Sequence, residues 1–468
     1  MKYTNLLGKE NLTMLTDFYE ITMANGFFCT GNGDRTVYFD LFFRSVPDKG
    51  GLAIVAGIQQ VINYIKRLKF TDEDIEYLRD KKLFNEQFLE YLRNFKFSCD
   101  VWAIPEGTPV FPYEPLITVR GPAIQAQFIE TMLLVLITPQ SLIATKASRI
   151  VRAAQGRPVM EFGARRAQGC DGAIYGARAS YIAGCCGTAC TIADREFGIP
   201  ALGTMAHSWI QLFDSEYEAF KAYAEIYPDN CTLLVDTFNV LKSGVPNAIK
   251  AFKKHGITKC GVRLDSGDIT YLTKKVREML DAAGWTDCKI VVSNSLDEYI
   301  IQDILRQGAK IDMFGVGERL ITARSEPVFG GVYKLVAVEG DDGSVNPKIK
   351  ISENPEKITN PHFKKVYRIF DNETGTAIAD QLCVFDETID ESEPLELFDP
   401  VQVWKTKTVT DYTAKELLVP IFKKGECVYD LPSIHEIRDY CKAQIMTLWD
   451  EVKRFENPHK YYVDLSRK

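Results

Sequence analysis

"KCGVRLDSGDITYLTKKVREMLDAAGWTDCKIVVSNS", residues 259–295, contains the pattern that decides the fold. Two short apolar runs flank a segment whose apolar residues recur at helical spacing, and Gly284 suits the C-cap of that helix. Each apolar run ends in Asp, Ser or Asn. The stretch therefore predicts a strand, a helix and a second strand, with the two strands parallel and buried on both faces.

The same rhythm extends through the middle third of the chain. The strand candidates are 157–163, 199–208, 231–237, 259–266, 289–295 and 310–317. Consecutive strand–helix units of this kind predict an irregular α/β barrel over residues 146–335. The flanking segments, 1–145 and 336–468, mix helical patterns with strand-like runs, and the second is the richer in strands.

Composition narrows the class of protein. The chain has 468 residues, too many for one ordinary core, and 56 basic against 63 acidic residues give a net charge of −7. This balance argues against a nucleic-acid surface or a polybasic membrane anchor. The N-terminus lacks the apolar core of a signal peptide, and the longest purely apolar run, "MLLVLI" at 132–137, is too short to span a bilayer.

The cysteine pattern and one charged stretch narrow the class of protein further. Twelve cysteines are scattered without a CxxC pair, which indicates reduced thiols in a cytoplasmic protein and no zinc site. The acidic stretch 385–399 is interpreted as a solvated loop.

Polar residues at the predicted strand ends are the candidate site, since barrels bind ligands at the carboxyl ends of their strands. Arg263, Asp265 and Asp268 follow one strand. Two carboxylates beside an arginine can hold a sugar diol or a metal while the guanidinium takes a phosphate. Equally, Asp268 can cap the next helix and Asp265 can pair with Arg263 structurally. The sequence leaves both interpretations open.

Two further strand ends suit a phosphate. They carry Ser293, Asn294, Ser295, Gly315 and Gly317. Ser295 with Glu298 also fits a capping box, which is a structural role. Helix N-termini and glycine backbone N–H groups bind anions, so the pair of strand ends together favours a phosphate site.

Two more side chains are ambiguous by themselves. In "EFGARRAQG" (161–169), Phe162 next to Arg165 can stack on and pair with a planar anion, or it can be a core residue beside a solvated arginine. His207, in "GTMAHS" (203–208), is one of five histidines and lies at a predicted strand end. A lone histidine there is more often structural than reactive.

Taken in order, these motifs resemble the nicotinate phosphoribosyltransferase family. The matching stretches are "LTDFYEITMANGFF" (15–28), "EFGARRAQG", "GTMAHS", "LLVDTFNVLKSG" (233–244), "GVRLDSGD" (261–268), "VSNSLDEY" (292–299), "FGVGERLIT" (314–322) and the tail "NPHKYYVDLS" (457–466). The resemblance implies the type II phosphoribosyltransferase fold, which is an incomplete α/β barrel with a β-rich companion domain. It also implies a homodimer with shared active sites.

The resemblance further implies the substrates nicotinate, phosphoribosyl pyrophosphate with Mg²⁺, and ATP, and it assigns roles to residues. His207 matches the histidine that ATP phosphorylates. Asp236 and Asp265 are expected at the ribose and the magnesium. The expected substrate-binding residues are Tyr19, Phe162, Arg165, Ala189, Thr204, Arg263 and Asp268. Ser293, Asn294, Ser295, Gly315 and Gly317 are expected to bind the 5′-phosphate.

Some details separate this family from its rivals. Nicotinamide-using relatives place an aspartate after a Gly-Thr pair on the helix that follows the "FG-x-R" strand, where this chain has Ala189. Tyr19 is expected to stack on the pyridine ring from the partner subunit, opposite Phe162. Quinolinate phosphoribosyltransferases are much shorter chains. A sugar-phosphate isomerase or aldolase would need a catalytic Lys or Glu at a strand end, and a non-catalytic descendant would not need these motifs intact.

Overall fold

Two structural units divide the chain in the computed structural model, which describes residues 11–354, 357–399 and 402–468. Unit 1 contains the described residues up to Thr145 and those from Val328 onward, and unit 2 is Lys146–Pro327. The division falls inside one long helix. The strand Gly331–Glu339, which the predicted boundary at 335 would have cut, lies wholly in unit 1.

The N-terminal segment alternates helices with short strands. Its elements are α1 (Phe18–Cys29), β1 (Thr36–Phe43), β2 (Ala53–Ile54), α2 (Ile58–Arg67), α3 (Asp72–Asp80), α4 (Glu86–Arg93), β3 (Asp100–Ala103), β4 (Pro109–Val110), β5 (Ile117–Pro122), α5 (Ala123–Phe128) and α6 (Glu130–Ala153). The segment 123–153 is long and apolar enough to cross a membrane, but 61% of its most apolar window is buried inside the protein. A core helix has the same character, so this segment is weak grounds for a membrane span.

The middle segment forms a parallel sheet with helices. Its elements are β6 (Val159–Glu161), α7 (Gly169–Ile182), β7 (Gly187–Thr188), α8 (Thr191–Phe197), α9 (His207–Gln211), α10 (Glu216–Ile226), β8 (Cys231–Leu234), α11 (Val245–His255), β9 (Cys260–Leu264), α12 (Ile269–Ala282), β10 (Lys289–Val292), α13 (Glu298–Arg306), β11 (Met313–Val316) and α14 (Glu318–Ile321). The strand order is β7-β6-β11-β10-β9-β8. The last strand, β11, therefore pairs with the first, β6, as in a barrel, and the sheet is open between β7 and β8. This confirms the predicted incomplete α/β barrel.

The strand predicted at 199–208 is wrong. Only Ala201 forms an isolated bridge, to Thr188, and the rest is irregular until α9 begins at His207. Pro200 has no N–H for a sheet ladder, and Ala201 and Gly203 are exposed rather than packed. The strand beside β6 is instead the two-residue β7, which is too short to show a periodic pattern.

The C-terminal segment is mostly antiparallel sheet. Its elements are β12 (Gly331–Glu339), β13 (Val345–Pro347), β14 (Lys364–Asp371), β15 (Ala377–Val384), β16 (Leu395–Phe398), β17 (Thr406–Val409), β18 (Tyr412–Glu416), β19 (Val419–Lys423), β20 (Glu426–Cys427), α15 (Ile434–Met446) and β21 (Val463–Leu465). In unit 1 these strands join N-terminal ones in a sheet of order β13-β12-β1-β5-β3-β19-β20, beside a second sheet of order β18-β14-β15-β21. All twelve cysteines are free thiols, and most are buried.

Candidate active site at the strand ends of unit 2

Arg263 is the centre of the candidate site. It lies on β9, and its guanidinium donates to Ser293 Oγ at 2.9 Å, to Thr204 Oγ1 at 3.1 Å and to Asp265 Oδ1 at 2.9 Å. Ser293 Oγ also donates to Asp265 Oδ1. These three hydrogen bonds hold the guanidinium rigidly, because charge-assisted hydrogen bonds are strong and directional. The predicted grouping of Arg263 with Asp265 is therefore present, as an ion pair within the protein.

Asp236 forms the next part of the site, at the end of β8. Its Oδ2 accepts from the Asp265 backbone N–H at 2.9 Å and from Ser266 Oγ at 2.6 Å. The side chain is buried, and its Oδ1 has no hydrogen-bond partner in the part of the chain that the structure describes. A buried carboxylate oxygen without a partner is costly, so this atom is a place where a ligand or cation gains binding energy.

Asp268 takes the structural role that the sequence left open. It is the exposed N-cap of α12, and its Oδ1 accepts from the Tyr271 backbone N–H at 2.9 Å. Gly267, with φ of 83°, makes the turn into the cap. One side of the carboxylate still faces solvent at the strand ends.

The loop after β10 differs from the predicted capping box. Asp297, not Ser295, caps α13, by accepting from the Ile300 backbone N–H at 2.9 Å. Glu298 is fully buried and pairs with Lys146 at 2.8 Å and with Arg149 at 2.7 Å. A carboxylate between two buried cations is not available to complete a capping box, and the cap is supplied by Asp297, the acid directly before it.

Asn294 and Ser295 are thereby free of the helix. Both are exposed and adopt left-handed backbone angles, with φ of 94° and 38°. Such angles in non-glycine residues cost free energy and concentrate at ligand sites. The expected phosphate-binding residues Ser293, Asn294 and Ser295 thus form a turn at the edge of the Arg263 network.

Gly315 is held within the sheet, and its predicted phosphate contact stays a prediction. It is buried in β11, in register with Met160 of β6, so its backbone lies in the sheet. A Cβ on Gly315 would lie 2.6 Å from Cδ2 of Phe162. Glycine is therefore required because the Phe162 ring lies across the strand. Gly317 follows β11 at the start of α14, where the predicted anion contact is untested.

Phe162 is placed by these neighbours. Its ring lies against Gly315 on one side, and the Arg263 guanidinium carbon is 5.6 Å from the ring centroid. This distance permits a cation–π contact. The side chain is half-buried, which leaves part of its face for a planar ligand. Arg165, in the short turn after Gly163, is exposed and makes no ion pair or hydrogen bond with any described residue.

Glu161 joins the two loops that flank this ring, a role that the sequence did not reveal. The fully buried carboxylate accepts from Thr188 Oγ1 at 2.6 Å and from the Gly163 backbone N–H, and its main-chain oxygen accepts from the Ala189 N–H at 2.8 Å. Burial raises the pKa of Glu161. Ala189 lies directly after β7 and is exposed. The prediction that it lies on the helix after the Phe162 strand is therefore wrong.

His207 begins α9, and its Nδ1 lies 3.0 Å from Thr237 Oγ1. The partner of this ring nitrogen is therefore a hydroxyl. Thr237 follows Asp236 directly, so the loop after β8 supplies both the acid and the residue that orients the imidazole. Only the fold brings these residues together, because 30 positions separate them in the chain.

Tyr19 belongs to unit 1, on α1, and 44% of its surface is exposed. Burial of the hydroxyl and the neighbouring Glu130 carboxylate raise the pKa of Tyr19. Glu20 beside it is buried and accepts from the Thr131 N–H at 3.0 Å. These contacts fix the start of α1 and leave the tyrosine ring partly open.

The fold and the site define a class of protein: an incomplete α/β barrel that collects carboxylates, an arginine and a strained polar turn at the ends of β8, β9 and β10. Three family models match the chain. They describe the nicotinate phosphoribosyltransferase N-terminal domain (14–138), the nicotinate phosphoribosyltransferase family (158–374) and its C-terminal domain (363–468).

Full-length relatives agree with these matches. Nicotinate phosphoribosyltransferase of Bacillus subtilis is 44% identical over 98% of this chain and 93% of its own length, and the human enzyme is 31% identical over 97% and 95%. The crystal structure of human nicotinic acid phosphoribosyltransferase superposes with a TM-score of 0.84 at 29% identity, covering 97% of this chain and 98% of that one. The chain belongs to the nicotinate phosphoribosyltransferase family and is an enzyme.

Proposed function

We propose that this enzyme transfers the phosphoribosyl group of 5-phosphoribosyl 1-pyrophosphate to nicotinate, giving nicotinate mononucleotide and pyrophosphate, with the transfer coupled to ATP hydrolysis. The reaction is the first step of NAD salvage from nicotinate. The observation that carries the proposal is the Arg263–Asp265–Ser293 network beside Asp236 and the Phe162 ring, in a chain of this family.

The chemistry needs placement and electrostatics more than covalent catalysis. The pyridine nitrogen attacks the anomeric carbon, the bond to pyrophosphate breaks, and positive charge develops on the ribose. The carboxylates of Asp236 and Asp265 are suited to stabilise that charge and to hold the ribose hydroxyls. No general base is required, because the attacking nitrogen carries no proton. Ser293, Asn294 and Ser295, with Gly317, are proposed to hold the 5′-phosphate.

The donor set fits Mg²⁺. Asp236 Oδ1 is a buried hard oxygen without a partner, and Asp265 is adjacent. The described residues contain no group of three or more His, Cys, Asp or Glu side chains that could enclose a metal. Two carboxylates suit Mg²⁺, which keeps several waters and takes its other ligands from substrate phosphates. Bound there, the ion would neutralise charge on the departing pyrophosphate.

The ring pocket favours nicotinate over nicotinamide. Exposed Ala189 offers no carboxylate to accept from an amide, and exposed Arg165 lies on the loop that carries Phe162. An anionic ring substituent is therefore attracted and an amide gains no special partner. Tyr19 of a partner subunit is proposed to cover the other ring face, in a homodimer with shared sites. Hybrids of Tyr19→Ala and His207→Ala subunits should then regain part of the ATP-stimulated transfer that each parent lacks.

His207 is proposed as the residue that ATP phosphorylates. With Nδ1–H donating to Thr237, the lone pair of Nε2 is free to attack the γ-phosphoryl group, and ADP leaves. Water hydrolyses the phosphohistidine after transfer and releases phosphate. The reaction is placed in the cytoplasm, where the free thiols remain reduced.

The test is His207→Ala at saturating substrates, with Thr237→Val as a second variant that removes only the orienting hydroxyl. His207→Ala should lose ATP hydrolysis and ATP stimulation while retaining some ATP-independent transfer. Thr237→Val should weaken the coupling without abolishing it. A His207→Ala enzyme whose ATP coupling is intact would return this histidine to a structural role.

A further inference from the structure

A cavity of about 630 Å³ lies in the C-terminal part of unit 1, and none of its lining residues is assigned to the reaction. Its lining comes from β15 to β17 and from the chain that follows α15, and it includes residues of the acidic stretch 385–399 and of the tail 457–466. This volume is within the range of small-molecule sites. We call it the C-terminal cavity.

Asp464 is the feature that calls for a ligand. It lies on β21, only 5% of its surface is exposed, and its side chain lines the C-terminal cavity. Its carboxylate makes no hydrogen bond or ion pair with any described residue. Burial and the Asp399 carboxylate, against an opposing effect of the Lys460 ammonium, raise the pKa of Asp464 to about 6, so it is largely ionised at neutral pH. A buried carboxylate without a partner is expensive and gains from a cationic donor.

Aromatic rings supply the wall of the cavity. Trp449 lies edge-to-face with His459 at 5.6 Å and with Tyr462 at 6.0 Å, with interplanar angles of 73° and 67°. Rings set nearly perpendicular form a corner rather than a pair of parallel plates. Such a corner presents ring faces to a cation in two directions, whereas parallel plates suit a stacked base.

The remaining charges determine which ion can enter. Asp399 is already paired, with Lys460 at 3.6 Å, and Glu451 adds a third carboxylate at the rim. Lys405 and Lys407 also line the cavity but are exposed, so water screens their charge. Lys460 is the cation that acts on Asp464, but its side chain is 77% exposed and its ion pair is with Asp399, so the buried Asp464 carboxylate is the one without an ion pair of its own.

We propose that the C-terminal cavity binds a small organic cation, with an ammonium, guanidinium or amidinium group against Asp464 and an apolar body against Trp449 and Tyr462. The ligand's charge is balanced by the buried carboxylate, and its apolar part covers the ring faces. This site is independent of the phosphoribosyl transfer.

The test is calorimetric titration of the full-length protein with benzamidine and with benzamide, which has nearly the same shape and no charge. Benzamidine should bind with a Kd of about 1 mM or tighter, and benzamide at least about tenfold more weakly. Asp464→Asn should weaken benzamidine binding by at least about tenfold. Asp450→Asn is the matched control, since Asp450 is nearby in sequence, 96% exposed and outside the cavity.

Tyr462→Leu is a second variant, because its ring is partly exposed and its loss does not remove a buried charge. It should weaken benzamidine binding in a protein with an unchanged melting temperature. Equal affinity for benzamide and benzamidine, undiminished binding to Asp464→Asn, or no benzamidine binding to the unaltered protein would each overturn the proposal.

Discussion

Replacing Gly315 by alanine tests how the pyridine pocket is built. The added Cβ would lie 2.6 and 2.7 Å from Cδ2 and Cε2 of Phe162, about 1 Å closer than an ordinary carbon contact. Gly315 is fixed in register between neighbouring strands, so the half-buried Phe162 ring must move instead. The aromatic face that we assign to nicotinate is then displaced.

The size of the effect follows from what is lost. Overpacking costs about 1–3 kcal/mol of stability, and an aromatic contact is worth about 0.5–1.5 kcal/mol of binding. The KM for nicotinate should therefore rise about two- to tenfold. The contact is made in both the ground state and the transition state, so kcat should change less than KM.

Steady-state kinetics with varied nicotinate and saturating second substrate measure this change. Gly172→Ala is the control, because its Cβ would be an ordinary 3.8 Å from the Cβ of Ala167. The reasoning fails if folded Gly315→Ala has an unchanged KM, or if Gly172→Ala shows the same rise.

Substitutions at three other positions test local parts of the account. Burial raises the pKa of Glu20 from 4.5 to about 7. Between these two pH values the folded state holds a proton that the unfolded state loses, so the free energy of unfolding falls by about 3 kcal/mol as the pH rises. Glu20→Gln should flatten the profile of urea-unfolding free energy between pH 5 and 8, and a profile parallel to that of the parent contradicts this. Asp268→Ala should lose about 1 kcal/mol of stability, because it removes the cap of α12. Asp268→Asn keeps the cap, so it raises the KM for phosphoribosyl pyrophosphate only if the carboxylate contacts the substrate. Asp380→Asn should cost about 1–3 kcal/mol in urea unfolding, because Arg368, fully buried and 2.6 Å from Asp380, loses this ion pair while the buried Glu114 beside it, whose pKa Asp380 helps to raise, remains to ionise; an unchanged unfolding free energy would refute this.

The strands with long apolar runs were predictable from sequence, and the others were not. The runs around Arg263 and Ser293 became β9 and β10, because several consecutive buried residues fix a parallel strand. The two residues of β7 carry no period, and their pairing depends on β6 alongside. The apolar residues of 199–208 predicted a strand that does not form. Pro200 lacks an N–H and Ala201 is exposed, so the segment cannot continue a sheet ladder.

The same distinction holds within the site. Arg263 lies on β9 and Asp265 directly follows that strand, two residues later, so their pairing could be predicted from the spacing. The contact between His207 and Thr237, and the bridge that Glu161 forms to Thr188, join residues that only the sheet order brings together. The cap at Asp297 was missed because the burial of Glu298 between Lys146 and Arg149 has no local signal.

The most direct test of the central claim is product formation from phosphoribosyl pyrophosphate with nicotinate or nicotinamide, each with and without ATP. We predict nicotinate mononucleotide as the product, a preference for nicotinate of orders of magnitude, and a marked increase in turnover with ATP. Comparable turnover of nicotinamide, or no turnover of nicotinate under any of these conditions, would contradict the account.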